Sequence, residues 1–85
     1  METELVCYHD SRASFYGKAR SRSEGNKTIL TSYSTDVAYI EDGEVVVPNG
    51  TYSNTTLRHI KEFLLQNGFV ADTKEQIEKD YGVEE

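Results

Sequence analysis

The stretch Tyr52-Ser-Asn-Thr-Thr-Leu-Arg-His-Ile-Lys-Glu-Phe-Leu-Leu-Gln-Asn-Gly-Phe69 decides how the rest of the chain is read. Leu57, Ile60, Phe63 and Leu64 recur at helical spacing and fall on one stripe. Ser53, Asn54 or Thr55 supplies a short side-chain oxygen at the start, where backbone N–H groups of the first turn lack partners. Gly68 marks the end, because glycine enters the left-handed conformation without a Cβ clash. Phe69, two residues past the helix, is placed to fold back onto Leu64. The pattern predicts a complete amphipathic helix that needs an apolar surface to dock on, with Arg58, Lys61, Glu62 and Gln66 as its solvated side. Arg58 and Glu62 are spaced as an i,i+4 ion pair.

Upstream, the period changes from helical to alternating. Residues 4–9 read as a short first strand. From Phe15 to Arg22, Phe15, Gly17, Ala19 and Ser21 alternate with Tyr16, Lys18, Arg20 and Arg22, the period of a half-buried strand. Glu24-Gly-Asn26 has hairpin-turn chemistry, and residues 27–33 return with Ile29 and Leu30. Ser34-Thr-Asp36 predicts a break or bulge before a strand over 37–40. Asp42-Gly43 is a two-residue hairpin signal, and Val45-Val-Val47 closes that hairpin. Downstream of the main helix, Thr73 and Gln76 have capping-box spacing, which predicts a second, shorter helix over 73–81.

Strands first and helices last imply an α+β fold: a small antiparallel sheet of four or five strands packed by a C-terminal helix, plus a short second helix. Parallel pairing is not expected, since no helix separates the strands. Leu57, Ile60, Phe63 and Leu64 are expected to meet Phe15, Ala19, Leu30, Val37, Ile40 and Val46. At 85 residues this is one domain, 1–85, with one small core.

Size and composition narrow the function classes. A catalytic pocket of roughly 300 Å³ or more is hard to build in so small a core. The single cysteine, Cys7, admits no intramolecular disulfide and no cysteine-only zinc site. Met1–Val6 lacks the basic-then-apolar pattern of a secretory signal, and no apolar run approaches the ~20 residues of a membrane span. A cytoplasmic location is expected, with no membrane partner.

Candidate chemistry is sparse. Cys7, His9 and Asp10 carry pieces of a thiol site but no orienting partner at a useful spacing. His9 and His59, with Asp10 or Glu62, lack metal-ligand spacing. Tyr33, Ser34, Thr35, Thr55 and Thr56 form a hydroxyl-rich set suited to turns, caps or an anion at the helix start. No catalytic residue, cofactor site or metal site is assigned, and an enzyme is not expected.

Charge is the stronger signal. The net charge of −6 is uneven: −3 over 1–10, +4 over 11–27, −4 over 28–52, +1 over 53–70 and −4 over 71–85. Arg12, Tyr16, Lys18, Arg20, Arg22 and Lys27 could form a basic, partly aromatic stripe along a nucleic-acid backbone. Asp36, Glu41, Asp42 and Glu44, and separately Asp72, Glu75, Glu78 and Asp80, could instead face a basic partner. If charge fails, exposed Tyr16, Tyr39 and Tyr52 are the other contact candidates.

The runs Ser14-Phe-Tyr-Gly-Lys-Ala19, Leu30-Thr-Ser-Tyr-Ser-Thr-Asp-Val-Ala38 and Thr55-Thr-Leu-Arg-His-Ile-Lys-Glu-Phe-Leu-Leu-Gln66 together resemble a family of small uncharacterised proteins of Gram-positive bacteria, their phages and prophages. The resemblance implies one small domain in a phage or mobile-element setting, and it carries no catalytic residues. With the acidic charge, the expected function is a non-enzymatic accessory protein that binds a host protein with a basic surface. A nucleic-acid-binding or defence factor, such as a CRISPR effector, is one such target. The alternative is a nucleic-acid-binding module using the stripe over 12–27.

Overall fold

The computed structural model describes residues 2–6, 8, 17–48 and 53–83. In it the main helix, α1, runs Asn54–Gln66. Ser53 is the cap: its backbone is extended and its hydroxyl accepts from the Thr56 N–H at 3.2 Å. At the other end Gly68 takes φ 84°, the Phe69 N–H reaches the Leu64 carbonyl at 2.9 Å, and the Gly68 N–H reaches Leu65 at 3.2 Å. These two bonds close the last turn and aim Phe69 back at the core.

The strands are β1 (Glu2–Glu4), β2 (Ala19–Glu24), β3 (Lys27–Ser32), β4 (Thr35–Glu41) and β5 (Glu44–Pro48). They pair in chain order as an antiparallel meander. The two hairpins with turn residues Gly25-Asn26 and Asp42-Gly43 lie where turn chemistry placed them. Asp42 and Gly43 both take positive φ, 52° and 80°, the geometry that matches strand twist in a two-residue hairpin.

The second helix, α2 (Lys74–Tyr81), starts at Thr73, whose hydroxyl accepts from the Gln76 N–H at 3.1 Å. Gln76 does not complete the box on Thr73 itself. Its Oε1 accepts from the Asp72 N–H, and its Nε2 donates to the Val70 carbonyl and to Asp80. After α2, the two-residue β6 (Gly82–Val83) pairs parallel with β5. This parallel pair corrects the expectation of a purely antiparallel sheet. The two helices together supply the long crossover that parallel pairing requires.

Both helices cover one face of the sheet, α1 over β3 and α2 against β5. Ala19, Leu30, Val37, Ala38 and Val47 meet Ile60, Phe63, Leu64 and Ile77 there, closed off by Leu5 and Ala71. Val37 and Ala38 are consecutive yet both buried. That breaks strand alternation, and the register shows why: Leu30 faces Ala38 while Thr31 faces Asp36, so Val37 is an extra residue in a bulge.

Several expectations are corrected. The first strand is Glu2–Glu4 rather than 4–9, and the described part of the second begins at Ala19 rather than Phe15. Val46 pairs with Tyr39 on the face away from the helices, and its neighbour Val47 is the buried one. Leu57 is only half-buried, whereas Thr56, His59 and Glu62 are buried. The helix is thus rotated towards its polar flank, and Glu62 is not on a solvated side. Phe15 lies outside the described residues.

Candidate functional site

Burying the polar flank of α1 brings together groups far apart in sequence. The Ser32 hydroxyl on β3 shares a 2.8 Å hydrogen bond with His59 Nδ1 and lies 3.3 Å from the Thr56 hydroxyl. Ser53 extends the set to Thr56 at 3.2 Å. Ser32 is 2% exposed and His59 0%. So enclosed, the pair acts as a polar clamp between sheet and helix. On the next turn Gln66 donates to Glu62 at 2.7 Å and to the Val6 carbonyl at 2.5 Å, tying the chain after β1 to the helix.

Sequence reasoning missed this clamp. It weighed His59 only as a metal ligand, with His9, which lies outside the described residues, as do Cys7 and Asp10. The available signal was the i,i+3 spacing of Thr56 and His59 beside Ile60 and Phe63. Of the hydroxyl-rich set, Thr56 joins the clamp, while Tyr33, Ser34, Thr35 and Thr55 are exposed. Tyr33 holds a left-handed φ of 59°, its N–H bonded to the Lys18 carbonyl and its ring 5.9 Å from that of His59. Among the described residues no group of three metal-ligating side chains comes together.

The outer face of the sheet, opposite the helices, carries the charged candidates. Register places Arg20 and Arg22 on this face with Glu2 and Glu4 across on β1. Arg20 pairs with Glu2 at 3.2 Å. Arg22 is engaged by three neighbours. Its two terminal nitrogens grip Asp36 at 2.9 and 2.8 Å, Nε donates to Glu24 at 2.6 Å, and Nη1 donates also to Thr31 at 2.9 Å. Lys27 places its ammonium over the Tyr39 ring, 4.5 Å from the centroid. Lys18 is 5.8 Å from the Tyr33 ring. The described members of the basic stripe are therefore turned towards groups of their own sheet. Arg12 and Tyr16 lie outside the described residues, as does Tyr52.

The acids divide likewise. Asp36 belongs to the Arg22 fork and not to an open acidic edge. Hydrogen bonds from Arg22 and then Thr31 hold its carboxyl at about 2, below the ordinary 3.8. Hydrogen bonds to Asp36 and then to Glu24 raise the Arg22 guanidinium above its usual range. On α2, Glu78 lies 3.8 Å from Lys74 and Asp80 accepts from Gln76 at 2.9 Å; these two, Glu75 and, just before the helix, Asp72 are all exposed. At the β4–β5 hairpin, Glu41 and Glu44 stand directly opposite each other with Asp42 in the turn between. All three are exposed.

The Asp36 fork predicts a pH dependence. A carboxyl with a lowered folded-state value stabilises the fold above its unfolded value of 3.8 and loses that contribution as pH falls through about 2. The stability gap between the natural chain and Asp36→Asn should be full from pH 5 to 7 and close towards pH 2, in urea melts at low salt. A gap independent of pH would mean that the fork does not form in solution.

A model of the DUF8033 family, a family of unknown function, matches residues 3–79. The chain belongs to that family. No curated protein and no solved structure matches it. The family's match spans every strand from β2 to β5 and α1 entire, so the clamp and the outer face both lie within the family's domain. Among the described residues no helix is long and apolar enough to cross a membrane.

Proposed function

We propose that this chain is a non-enzymatic binding protein that takes a basic protein surface as its partner. The observation that carries this reading is the division of charge on the outer face. Arg20 and Arg22 spend their charge on Glu2, Glu24 and Asp36, which leaves Glu41, Asp42 and Glu44 as acids with no cation within 4 Å among the described residues. Unpaired acids on a chain of net charge −6 attract cationic partners and repel phosphate backbones. The phage or mobile-element setting implied by the sequence resemblance makes a host nucleic-acid-binding or defence protein a fitting target, since such proteins carry basic grooves.

The test is affinity capture from a host lysate with and without nuclease, followed by direct measurement on the captured protein. A protein retained after nuclease, whose association rate falls as salt rises, supports the reading. Retention only through nucleic acid overturns it. Single- and double-stranded oligonucleotides are expected not to bind at low salt. Binding that is lost in a Lys18→Ala/Arg20→Ala variant would favour the 12–27 stripe instead.

A further inference from the structure

We infer that the β4–β5 hairpin is the docking element, and that its occupant is a cationic segment of a partner protein carrying apolar side chains. This rests on the reading of the chain as an acidic binder and assigns it a site.

The hairpin combines three features not found together elsewhere among the described residues. First, its charge is unrelieved. Glu41 and Glu44 face each other across the ladder, and like charges so placed weaken a sheet. Lys27 stands opposite Glu41 in register, yet its ammonium lies over Tyr39 instead. An incoming lysine or arginine would remove this repulsion. Two of the three acids of α2 differ, since Glu78 and Asp80 already have partners on their own helix, and the third, Glu75, does not face another acid across a ladder.

Second, the acids border an apolar platform. Tyr39 lies opposite both Ile29 and Val46 on the outer face, while both helices pack on the other. Tyr39 and Val46 are half-buried. Behind them Ile40 and Val45, which face each other towards the helices, are also only half-buried, so the helical layer thins over this end of the sheet. Third, the tip is short. A two-residue turn with positive φ at Asp42 and Gly43 presents the acids with little ordering left to lose.

The same features select the occupant. A second copy of this acidic chain would bring acids against acids, and nucleic acid has the wrong sign. A purely cationic segment would leave the half-buried Val46, beside the Tyr39 ring that Lys27 already covers, wet, whereas one with leucine-type side chains would cover it.

The site can be tested with the isotope-labelled full chain, titrated with a lysine-rich peptide containing leucines and with an equally charged peptide lacking them. Saturable NMR shifts centred on residues 39–46, with tighter binding of the leucine peptide, are expected. A Glu41→Gln/Asp42→Asn/Glu44→Gln variant keeps a residue suited to the left-handed turn. With a melting curve no lower than that of the natural chain, it should bind roughly tenfold more weakly. Val46→Thr, which keeps a strand-forming shape, should reduce the leucine peptide to the level of the other. Shifts centred on residues 72–80 with a silent hairpin would overturn this site and leave the acidic-binder reading standing. Equal binding of the two peptides would overturn the apolar half of the inference. No saturable binding of either peptide would overturn both site and reading.

Discussion

Phe63→Ala is expected to lower the unfolding free energy by ~3–5 kcal/mol. Phe63 is 1% exposed and sits between Ile60 and Leu64, both fully buried, against the sheet. Truncation removes the transfer free energy of the ring and leaves a cavity that a core of this size cannot close. A chain of 85 residues has a total stability of about 4–13 kcal/mol, so the variant would be marginal or unfolded at ambient temperature. Urea melts decide it, with the milder Phe63→Leu as a variant that still folds. A change below ~1 kcal/mol for Phe63→Ala would mean that α1 does not dock through this face.

His59→Ala should cost ~2–4 kcal/mol, because it opens a cavity and strips the Ser32 hydroxyl of its 2.8 Å partner in a buried setting. Ser32→Ala should cost less, ~1–2 kcal/mol, by leaving the imidazole Nδ1 short of its partner. The two residues share one bond between sheet and helix. The double variant should therefore fall short of the sum of the singles by ~0.5–3 kcal/mol. Effects that add within ~0.5 kcal/mol would show that the clamp contributes nothing as a unit. The cycle also separates a structural role from a nucleophilic one, since a serine kept for chemistry gives little stability.

The acidic hairpin was legible as a candidate in the sequence, because Glu41-Asp-Gly-Glu44 states both the turn and the charge. Its difference from the other acids was not legible. Proximity along the chain groups Asp36 with Glu41 and Glu44. The ladder instead carries Asp36 to the far end of β4 and into the Arg22 fork. The basic stripe misled for the same reason: alternation placed Arg20 and Arg22 on one face correctly, but said nothing of the carboxylates paired with them from β1 and β4.

By itself the sequence determined the local elements. Ser53 and Gly68 bounded α1, Asp42-Gly43 set the hairpin, and the order of strands before helices set the α+β class. These are short-range effects, governed by backbone sterics, turn geometry and hydrophobic period, and each is written within a few consecutive residues. Tertiary structure alone decided which way α1 rolled, burying Thr56, His59 and Glu62 while leaving Leu57 half-exposed. It also decided the Val37 bulge, the parallel β5–β6 pair and which charges found partners. Helix rotation is set by all the groups on the sheet beneath it: Ser32 on β3 and the Val6 carbonyl beyond β1 offered hydrogen bonds that a one-dimensional apolar stripe cannot register. Burying a polar flank costs little once each group finds a partner, and the partner of His59 lies 27 residues away along the chain.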